Sequence, residues 1–373
     1  MIASISSTQI LDLLEQQFGL AHAAVPRSPI HEDAMLQLRQ QFEHILRKPC
    51  YITNLEELGG LYKRLADSPR EVMEAFRQRR LDEELIIAIG EELESALRRL
   101  TCALEQKFGW GSAEDVSLGA NIACSVWQDW DTRSYLSTFF AELGPDTFAT
   151  LRFLSRELQC FRDHPAQRAL DFGCGPTPIV SLAAAPYARE IHLADFIPTN
   201  VEEVQRWIDA DPGAFSWDHA IAVILKLEGT EPSAENIAQR ATELRSKAQT
   251  LLCDAALPYP LHRQTEPYSL VLSIYCADSA TSSKETWRQY IRNTTTLVAP
   301  SGRILIAALR HCRAYRSGEH TFPSANIDEA DLEAILLEVG FSRNTLHIEV
   351  SDVPECAQEG FTSVIFARAI MEN

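Results

Sequence analysis

The sequence predicts an α/β protein of two domains: an all-α N-terminal domain over residues 1–125, and a Rossmann-like, doubly wound domain over residues 126–373. Three features lead to this prediction. Apolar residues recur at helical spacing through the first 125 residues. From about residue 165, short apolar runs alternate with helical patterns, which is typical of a parallel sheet. Two further apolar runs close the sequence, and we expect them to form an antiparallel hairpin at the sheet edge.

The N-terminal region contains one long amphipathic stretch over residues 82–108. Its apolar positions are spaced as on one face of a helix: Leu85, Ile86, Ile89, Leu93, Leu97, Leu100 and Leu104. Such a stripe needs a partner surface, because an isolated helix of this length is only marginally stable in water. The region carries no chemical motif. We therefore expect it to be a cap, a lid or a dimer surface, with a plain helical packing domain as the simpler alternative.

Five buried strands are predicted in the second domain, followed by a helix and two edge strands. The strands are residues 168–172, 190–194, 250–253, 268–274 and 303–307, the helix is residues 328–339, and the closing pair is residues 346–350 and 361–367. Parallel strands place their carboxyl ends at one edge of the sheet, where α/β domains bind their ligands. The turns after the strands are therefore the expected positions of the site residues.

Composition and charge exclude several classes of protein. The chain has 46% hydrophobic and 23% charged residues, as expected for a soluble globular protein. Lys and Arg number 34 against 52 Asp and Glu, and the net charge of −18 disfavours nucleic acid as a partner. No stretch is apolar enough to span a membrane, and the N-terminus lacks the basic region of a signal peptide. The nine cysteines are scattered without zinc spacing, so we expect reduced thiols, no metal site and a cytoplasmic location.

A glycine-rich turn follows the first predicted strand, in the segment Ala169-Leu-Asp-Phe-Gly-Cys-Gly-Pro-Thr177. Gly173 and Gly175 allow the backbone to come close to a ligand. The dinucleotide pattern G-x-G-x-x-G is incomplete, and two prolines remove N–H donors from the start of the next helix. A dinucleotide is therefore disfavoured, and the acidic Asp171 is better suited to a cationic ligand.

Two further carboxylates follow the next predicted strands. Asp195 lies 20 positions after Gly175, where a carboxylate can bind both ribose hydroxyls of an adenosyl group. Asp254, after the third strand, is placed to reach the adenine amino group. Three adjacent strand ends, each with a carboxylate, form a pattern typical of S-adenosylmethionine sites. Capping aspartates in generic α/β turns are the simpler alternative.

Several segments resemble the class I methyltransferases that include nicotinamide, phenylethanolamine and indolethylamine N-methyltransferases. The resemblance runs from about residue 127 to the C-terminus. Residues 131–140 look like the family's "NPRDYLEKYY" segment, residues 170–177 like "DIGSGPT" and residues 195–204 like "DYTDQNLQEL". Residues 207–217, which end in Pro-Gly-Ala-Phe-Ser-Trp, are close to the family's "W…PGAFDW". This last signature is rare among methyltransferases at large, so it makes the resemblance specific.

The resemblance implies a class I methyltransferase sheet, S-adenosylmethionine as the cofactor and S-adenosylhomocysteine as its product. It also implies which residues surround the cofactor: Tyr135, Phe140, Asp171, Gly173, Gly175, Thr177, Asp195, Phe196, Asn200, Asp254, Ala255 and Ile274. Tyr135 is expected beside both the methionine part of the cofactor and the bound acceptor. Phe140 stands where the family has a tyrosine that helps to hold the cofactor carboxylate, so Thr177 is expected to supply the missing hydroxyl donor.

On the acceptor side, Asp278 after the fourth strand is the first candidate for orienting an amine. His311 is the second catalytic candidate, with an exposed loop histidine as the simpler alternative. The resemblance places an acid of the small-amine enzymes where this sequence has Ala308, and a basic segment follows it. Three arginines there are expected either to bind an anionic group of the acceptor or to form a solvated loop: Arg310, Arg313 and Arg316.

Together these features predict an S-adenosylmethionine-dependent N-methyltransferase that acts on a small amine or guanidine in specialised metabolism. The alternatives are an O- or S-methyltransferase on a small molecule, an NAD-dependent oxidoreductase of the same fold, and a non-catalytic methyltransferase-like partner protein. We expect a monomer or homodimer with a small-molecule acceptor, and neither nucleic acid nor a membrane as its partner.

Overall fold

The computed structural model describes residues 130–262, 265–317 and 320–372, together with Leu36, Gln37 and Gln40. Residues Trp130–Asn373 form one compact unit. The helical domain predicted over residues 1–125, with its amphipathic stretch, lies outside the described residues apart from those three positions. The domain boundary at residues 125 and 126 therefore stays a prediction.

The described part of this unit contains eight α-helices and nine β-strands. The helices are α1 Thr132–Phe139, α2 Pro145–Glu157, α3 Ile179–Ala184, α4 Pro198–Ile208, α5 Asp218–Leu227, α6 Ala234–Arg245, α7 Lys284–Thr295 and α8 Glu329–Glu338. The strands are β1 Ala166–Phe172, β2 Ala188–Asp195, β3 Ala248–Leu252, β4 Tyr268–Ile274, β5 Val298–Leu309, β6 Ala314–Ser317, β7 His320–Pro323, β8 His347–Asp352 and β9 Ser363–Ile370.

Seven strands form one sheet in the order β3-β2-β1-β4-β5-β9-β8. Strands β1 to β5 run parallel to one another, and β9 lies antiparallel between β5 and β8. The predicted doubly wound class I methyltransferase sheet with its antiparallel terminal pair is therefore confirmed. The chain reverses its direction of winding between β1 and β4, which opens a crevice beyond the carboxyl ends of these strands.

The central strands are apolar on both faces because helices cover both sides of the sheet. In β4, Leu270, Val271 and Leu272 are all fully buried, although neighbouring residues of a strand point to opposite faces. Asp328 begins α8 with a capping box, in which its side chain and that of Asp331 each accept a hydrogen bond from the other's backbone N–H. These local features explain why the elements could be recognised from apolar runs and capping residues.

A hairpin that was not predicted follows β5. Strand β6 pairs antiparallel with β7, so that Tyr315 lies opposite Phe322. The two buried rings are stacked with their centroids 5.6 Å apart. The basic segment after the fifth strand is thus folded as a small sheet with an aromatic inner face.

Within the described ranges, no helix is long and apolar enough to cross a membrane. The same ranges hold no group of three or more His, Cys, Asp or Glu side chains arranged to bind a metal ion.

Candidate active site

Four buried carboxylates lie in the turns at the carboxyl ends of neighbouring strands. Asp171 lies near the end of β1, Asp195 ends β2, Asp254 follows β3 and Asp278 follows β4. Because these strands are adjacent in the sheet, their turns meet at one edge. The four residues are between 1% and 7% exposed, so each charge requires hydrogen bonds or a cation.

The turn after β1 contains two glycines with different surroundings. Gly173 has φ +76°, and a Cβ at this position would lie 2.1 Å from the Sγ atom of Cys276. Gly175 has φ +60°, and a Cβ there would meet nothing within 4 Å. Gly173 is therefore required by packing against the turn after β4, whereas Gly175 borders open space. That space fits the close approach of a ligand predicted from the sequence.

The Asp195 carboxylate connects the glycine turn to the start of α4. Its Oδ2 accepts a hydrogen bond from the Gly175 N–H at 2.9 Å. Its Oδ1 accepts from the Ile197 N–H at 2.9 Å and from Asn200 Nδ2 at 3.0 Å. Burial raises the pKa of Asp195, and these hydrogen bonds act in the opposite direction. Asp195 thus fixes the geometry of both turns, and its predicted contact with the cofactor ribose stays a prediction.

Asn200 extends this network to the start of α1. Its Oδ1 accepts hydrogen bonds from Trp130 Nε1 at 2.8 Å and from Thr132 Oγ1 at 2.9 Å. The amide is 2% exposed and bridges α1 to Asp195. Asn200 was predicted as a cofactor contact. In the structure it also holds α1 against α4.

Arg133 of α1 binds the loop that carries the Pro-Gly-Ala-Phe-Ser-Trp signature. Its guanidinium forms a 2.9 Å ion pair with the buried Glu203 and a 2.8 Å hydrogen bond to Gly213 O. Glu203 also accepts from the Phe215 N–H at 3.1 Å. The signature therefore has a structural role here, because it anchors the helix that carries Tyr135.

Tyr135 lies among the aromatic rings at this anchored helix. Its ring centroid is 4.6 Å from that of Trp130 and 5.8 Å from that of Phe140. Burial raises the pKa of Tyr135, and the charges of Asp146 and Asp195 raise it further. The side chain is therefore a neutral phenol close to the Asp195 network.

The sequence predicts that Thr177 supplies the hydroxyl donor that is missing at Phe140. Thr177 Oγ1 donates to Cys174 O at 3.0 Å, so its proton is used within the turn. Phe140 O accepts from His219 Nε2 at 2.9 Å, a contact that sequence reasoning missed. His219 lies two positions after Trp217, the last residue of the signature, and this proximity is the signal that could have indicated it.

The residues predicted around the adenine lie in tightly bonded turns. Asp254 accepts from the Ala256 N–H at 2.8 Å, and Ala255 O accepts from Asn293 Nδ2 at 2.8 Å. Phe196 after β2 is half-buried, and its contact with the adenine stays a prediction. Ile274 at the end of β4 is also half-buried, and its predicted place at the mouth of the site stays a prediction as well.

Asp278 occupies a short helical turn after β4. Its Oδ2 accepts from the Leu309 N–H at 2.8 Å, which connects this turn to the end of β5. Burial raises the pKa of Asp278 to about 6. At neutral pH the carboxylate is therefore largely ionised, and it has a proton affinity suited to general-base work.

Two tyrosines near Asp278 were missed by sequence reasoning. Tyr275 leaves β4 with φ +53°, and its hydroxyl shares a 2.8 Å hydrogen bond with Thr150 Oγ1. Burial raises the pKa of Tyr315 on β6, and the negative charge of Asp278 adds to the shift. A non-glycine residue with positive φ is a feature of functional sites. The alternation of Ala-Tyr-Arg-Ser in β6 is the signal that could have indicated Tyr315.

The predicted basic residues lie in the solvated part of the hairpin region. Arg310 Nε forms a 2.9 Å ion pair with Glu329. His311, Arg313 and Arg316 are exposed. These positions agree with the simpler expectation of a solvated basic surface, and they give no support to an anion clamp or to a catalytic His311.

The edge of the sheet fits a cofactor that carries a positive charge. Asp171 is 1% exposed, and Ser181 Oγ donates to its Oδ2 at 2.9 Å. Burial raises the pKa of Asp171 to about 7. A nearby ammonium or sulfonium group would favour the ionised form of this carboxyl. Asp171 and the open space beside Gly175 therefore suit S-adenosylmethionine.

We predict that Asp171→Asn stabilises the fold at alkaline pH while weakening cofactor binding. Because folding raises the pKa of Asp171 from 3.8 to about 7, ionisation removes stability as the pH rises through 7. An asparagine can still accept the Ser181 hydrogen bond but carries no charge. The free energy of unfolding at pH 8.5, measured in urea, should rise by about 1–3 kcal/mol over wild type.

This gain should vanish near pH 3.5, where the wild-type carboxyl is protonated in both the folded and the unfolded chain. In calorimetry at pH 8, the variant should bind S-adenosylmethionine at least about tenfold more weakly. A loss of stability at pH 8.5 would show that Asp171 already has a cationic partner within the protein.

Comparison with known proteins places these features in one family. The model of the NNMT/PNMT/TEMT family matches residues 122–368. This range contains all four buried aspartates, the glycine turn and the hairpin. It therefore covers the whole of the candidate site described above.

Three similar proteins are N-methyltransferases by name. Indolethylamine N-methyltransferase of Oryctolagus cuniculus is 29% identical over 218 residues, which cover 56% of this chain and 81% of that protein. Phenylethanolamine N-methyltransferase of Macaca mulatta is 24% identical over 275 residues, covering 68% and 92%. Nicotinamide N-methyltransferase of Homo sapiens is 29% identical over 177 residues, covering 46% and 65%.

Proposed function

This chain belongs to the NNMT/PNMT/TEMT family, and from this premise we propose that it methylates a nitrogen of a small amine or guanidine. The methyl donor is S-adenosylmethionine. The named relatives support a nitrogen acceptor, since each is called an N-methyltransferase of a small compound. Family membership also confirms the resemblance seen in the sequence and sets aside the NAD-dependent oxidoreductase.

The observation that carries the acceptor assignment is the buried carboxylate of Asp278. When bound, the cofactor supplies a methyl group. The lone pair of the amine forms the new C–N bond, and the electron pair of the broken S–C bond stays on sulfur. The protein must hold the amine nitrogen in line with that methyl group and accept the proton that nitrogen loses. Asp278 can do both, because its Oδ2 is held by the Leu309 N–H and its pKa is about 6.

Three tyrosines of the candidate site support this role by providing apolar surroundings. Tyr135, Tyr275 and Tyr315 are neutral phenols whose pKa values burial raises. They offer apolar faces to the body of an acceptor and hydroxyls for its polar groups. In such surroundings the attraction between Asp278 and an amine is stronger than it would be in water.

An assay on the full chain tests the proposal. Methyl transfer from labelled S-adenosylmethionine is measured with small primary amines, guanidines, phenols and thiols of matched size. We expect nitrogen compounds to be methylated and the phenols and thiols to react far more slowly. A phenol or thiol as the best acceptor would instead support the O- or S-methyltransferase alternative, and binding without turnover would support a partner protein.

We predict that Asp195→Ala weakens S-adenosylmethionine binding by about 1–3 kcal/mol, the usual effect of leaving hydrogen-bonding groups unpaired. Calorimetry on the purified chain measures the dissociation constant, and circular dichroism confirms that the variant is folded. The control is Asp209→Ala, which removes an exposed carboxylate at the end of α4. Equal cofactor affinity in both variants would contradict the assignment of Asp195.

Three finer features belong to the same proposal. The scattered cysteines support a cytoplasmic enzyme. The additional N-terminal region supports a role in specialised biosynthesis. We propose a monomer or homodimer that acts on a free small molecule. Size-exclusion chromatography with light scattering decides between these two oligomeric states.

A further inference from the structure

Trp130 precedes α1, and its ring contacts both the hairpin and α1. The ring centroid is 5.3 Å from that of Phe322 on β7, in an edge arrangement, and 4.6 Å from that of Tyr135 on α1. Phe322 is itself stacked on Tyr315, with their centroids 5.6 Å apart. A ring that is packed from two sides cannot turn freely. These contacts therefore fix the direction in which the indole N–H of Trp130 points.

The indole N–H is directed at the amide of Asn200, near the start of α4. Trp130 Nε1 donates to Asn200 Oδ1 at 2.8 Å, and Asn200 Nδ2 donates to Asp195 Oδ1 at 3.0 Å. Asn200 is 2% exposed, so each of its polar atoms depends on these partners rather than on water. A chain of contacts thus runs from the hairpin to the carboxylate that is predicted to bind the cofactor ribose.

Trp130 determines which end of this amide faces Asp195. An asparagine amide can be turned over, and its two ends then exchange donor and acceptor roles. An indole nitrogen is only a donor, so it requires the oxygen of Asn200 on its side. Thr132 Oγ1 also donates to Asn200 Oδ1, at 2.9 Å, and lies 3.1 Å from Thr199 Oγ1. Because a hydroxyl can donate or accept, Thr132 is compatible with either orientation of the amide.

The orientation of the amide suits only the ionised form of Asp195. An NH2 group donates to a carboxylate, whereas a protonated carboxyl needs an acceptor for its own O–H. Asn200 could provide that acceptor only if the amide were turned over. Its NH2 group would then face the indole N–H of Trp130, donor against donor. The indole therefore disfavours the protonated form, and the ionised form is the one that accepts hydrogen bonds from two ribose hydroxyls.

The surroundings of Asp195 make its hydrogen-bond donors important. Burial raises the pKa of Asp195, and the hydrogen bonds from Ile197, Asn200 and Gly175 lower it. The charge of Asp195 raises the pKa values of six neighbouring groups, all of them carboxyls, thiols or phenols: Tyr135, Asp171, Cys174, Cys253, Cys276 and Tyr315. None of these six groups supplies a positive charge, so the carboxylate depends on donors such as Asn200.

We propose that Trp130 is a positioning residue of the cofactor site, which fixes the Asn200 amide so that only a donor faces Asp195. Trp130 acts through Asn200 and needs no contact with the cofactor. The hairpin contributes as well, because Phe322 holds the indole ring in place. The inference rests on the predicted contact between Asp195 and the ribose. It goes beyond the proposed N-methyl transfer, since it concerns cofactor binding alone.

Affinity for S-adenosylhomocysteine, measured by calorimetry on the full chain over a pH series, tests the proposal. Trp130→Phe keeps an aromatic ring and removes the donor. Its dissociation constant should exceed that of wild type by less than about twofold at about pH 8, and by about three- to tenfold at about pH 5, the effect of one hydrogen bond. Without the indole N–H, the protonated form of Asp195 is no longer disfavoured. The pKa of Asp195 then rises, and affinity is lost as the pH falls.

Two further variants separate the donor from the packing. Thr132→Val is the matched control, since it removes the other donor to the same oxygen atom of Asn200. Trp130 still fixes the amide in this variant, so its ratio to wild type should stay below about twofold at every pH. Replacement of Trp130 by benzothienylalanine, which has sulfur in place of the N–H, keeps the bicyclic ring. It should show the same pH dependence as Trp130→Phe, and circular dichroism checks that each variant is folded.

The outcomes that contradict the inference are distinct. A loss of affinity that is equal at all pH values would show that Trp130 acts through packing alone. The inference also fails if affinity is unchanged throughout, or if Thr132→Val shows the same pH dependence. In an Asp195→Ala background Trp130→Phe should have no pH-dependent effect, and a remaining effect would show that it acts through another group. Since no acceptor is present, these results do not depend on N-methyl transfer.

Discussion

Asp278→Asn is expected to lower kcat/KM for the amine acceptor by about 100-fold or more, the usual contribution of a general base. The asparagine oxygen can still accept from the Leu309 N–H, so the turn after β4 keeps its 2.8 Å contact with the end of β5. The other atom becomes an NH2 group, which repels an ammonium and accepts no proton. Steady-state kinetics with labelled S-adenosylmethionine measure the loss.

The pH profile separates this role from a purely structural one. Because the pKa of Asp278 is about 6, wild-type kcat/KM should fall about tenfold per pH unit below that value. The variant should lack this limb of the profile. Cofactor affinity should change less than about twofold, since the proposed role of Asp278 concerns only the acceptor. The control, Asp163→Asn, removes an exposed carboxylate and should behave as wild type.

Protein stability provides a check that the variant is folded. Folding raises the pKa of Asp278 from 3.8 to about 6, so ionisation removes stability as the pH rises through 6. Asp278→Asn should therefore melt at or above the wild-type temperature at pH 8. Normal turnover in a folded variant would show that another group, or water, receives the proton.

The sheet could be predicted because its signals are local. Buried parallel strands appear as continuous apolar runs, and the carboxylates follow them directly in sequence. Asp171, Asp195, Asp254 and Asp278 could therefore be placed at one edge without knowledge of any long-range contact. The terminal strands were displaced by one to three residues from their predicted bounds, as β8 His347–Asp352 and β9 Ser363–Ile370 show.

The basic segment after β5 was harder to predict because its contacts are non-local. Arg310 pairs with Glu329, and that partner lies on α8, beyond the hairpin. The strands β6 and β7 contain four residues each, too few for a clear periodic pattern. The positive charge of this segment alone suggested an anion-binding site. In the structure, the aromatic side of the hairpin faces the protein interior.

Gly173→Ala is expected to destabilise the fold by about 2–4 kcal/mol, from overpacking together with an unfavourable left-handed backbone. The added Cβ would lie 2.1 Å from Cys276 Sγ and 2.5 Å from Cys276 Cβ, at φ +76°. The backbone of both turns must move to relieve this contact. Urea denaturation measures the loss, and the cofactor site should be distorted as a consequence.

Gly175→Ala is the matched comparison, because its Cβ meets no atom within 4 Å and its φ of +60° is also left-handed. It should destabilise the fold by only about 1 kcal/mol. Its larger effect should be on ligand binding, since the methyl group occupies space that the cofactor needs. We expect the dissociation constant for S-adenosylmethionine to rise about tenfold or more.

A double variant separates the two causes of instability at Gly173. In Gly173→Ala/Cys276→Gly the nearest remaining atom of residue 276 is its Cα, at 3.6 Å from the new Cβ, which is an ordinary contact. The double variant should therefore recover the overpacking part, about 1–3 kcal/mol, and retain the backbone part. If Gly173→Ala folds as stably as wild type, or if removing the Cys276 side chain restores nothing, the contact between these two turns does not explain the glycine. We therefore expect Gly173→Ala to act mainly on folding and Gly175→Ala to act mainly on cofactor binding.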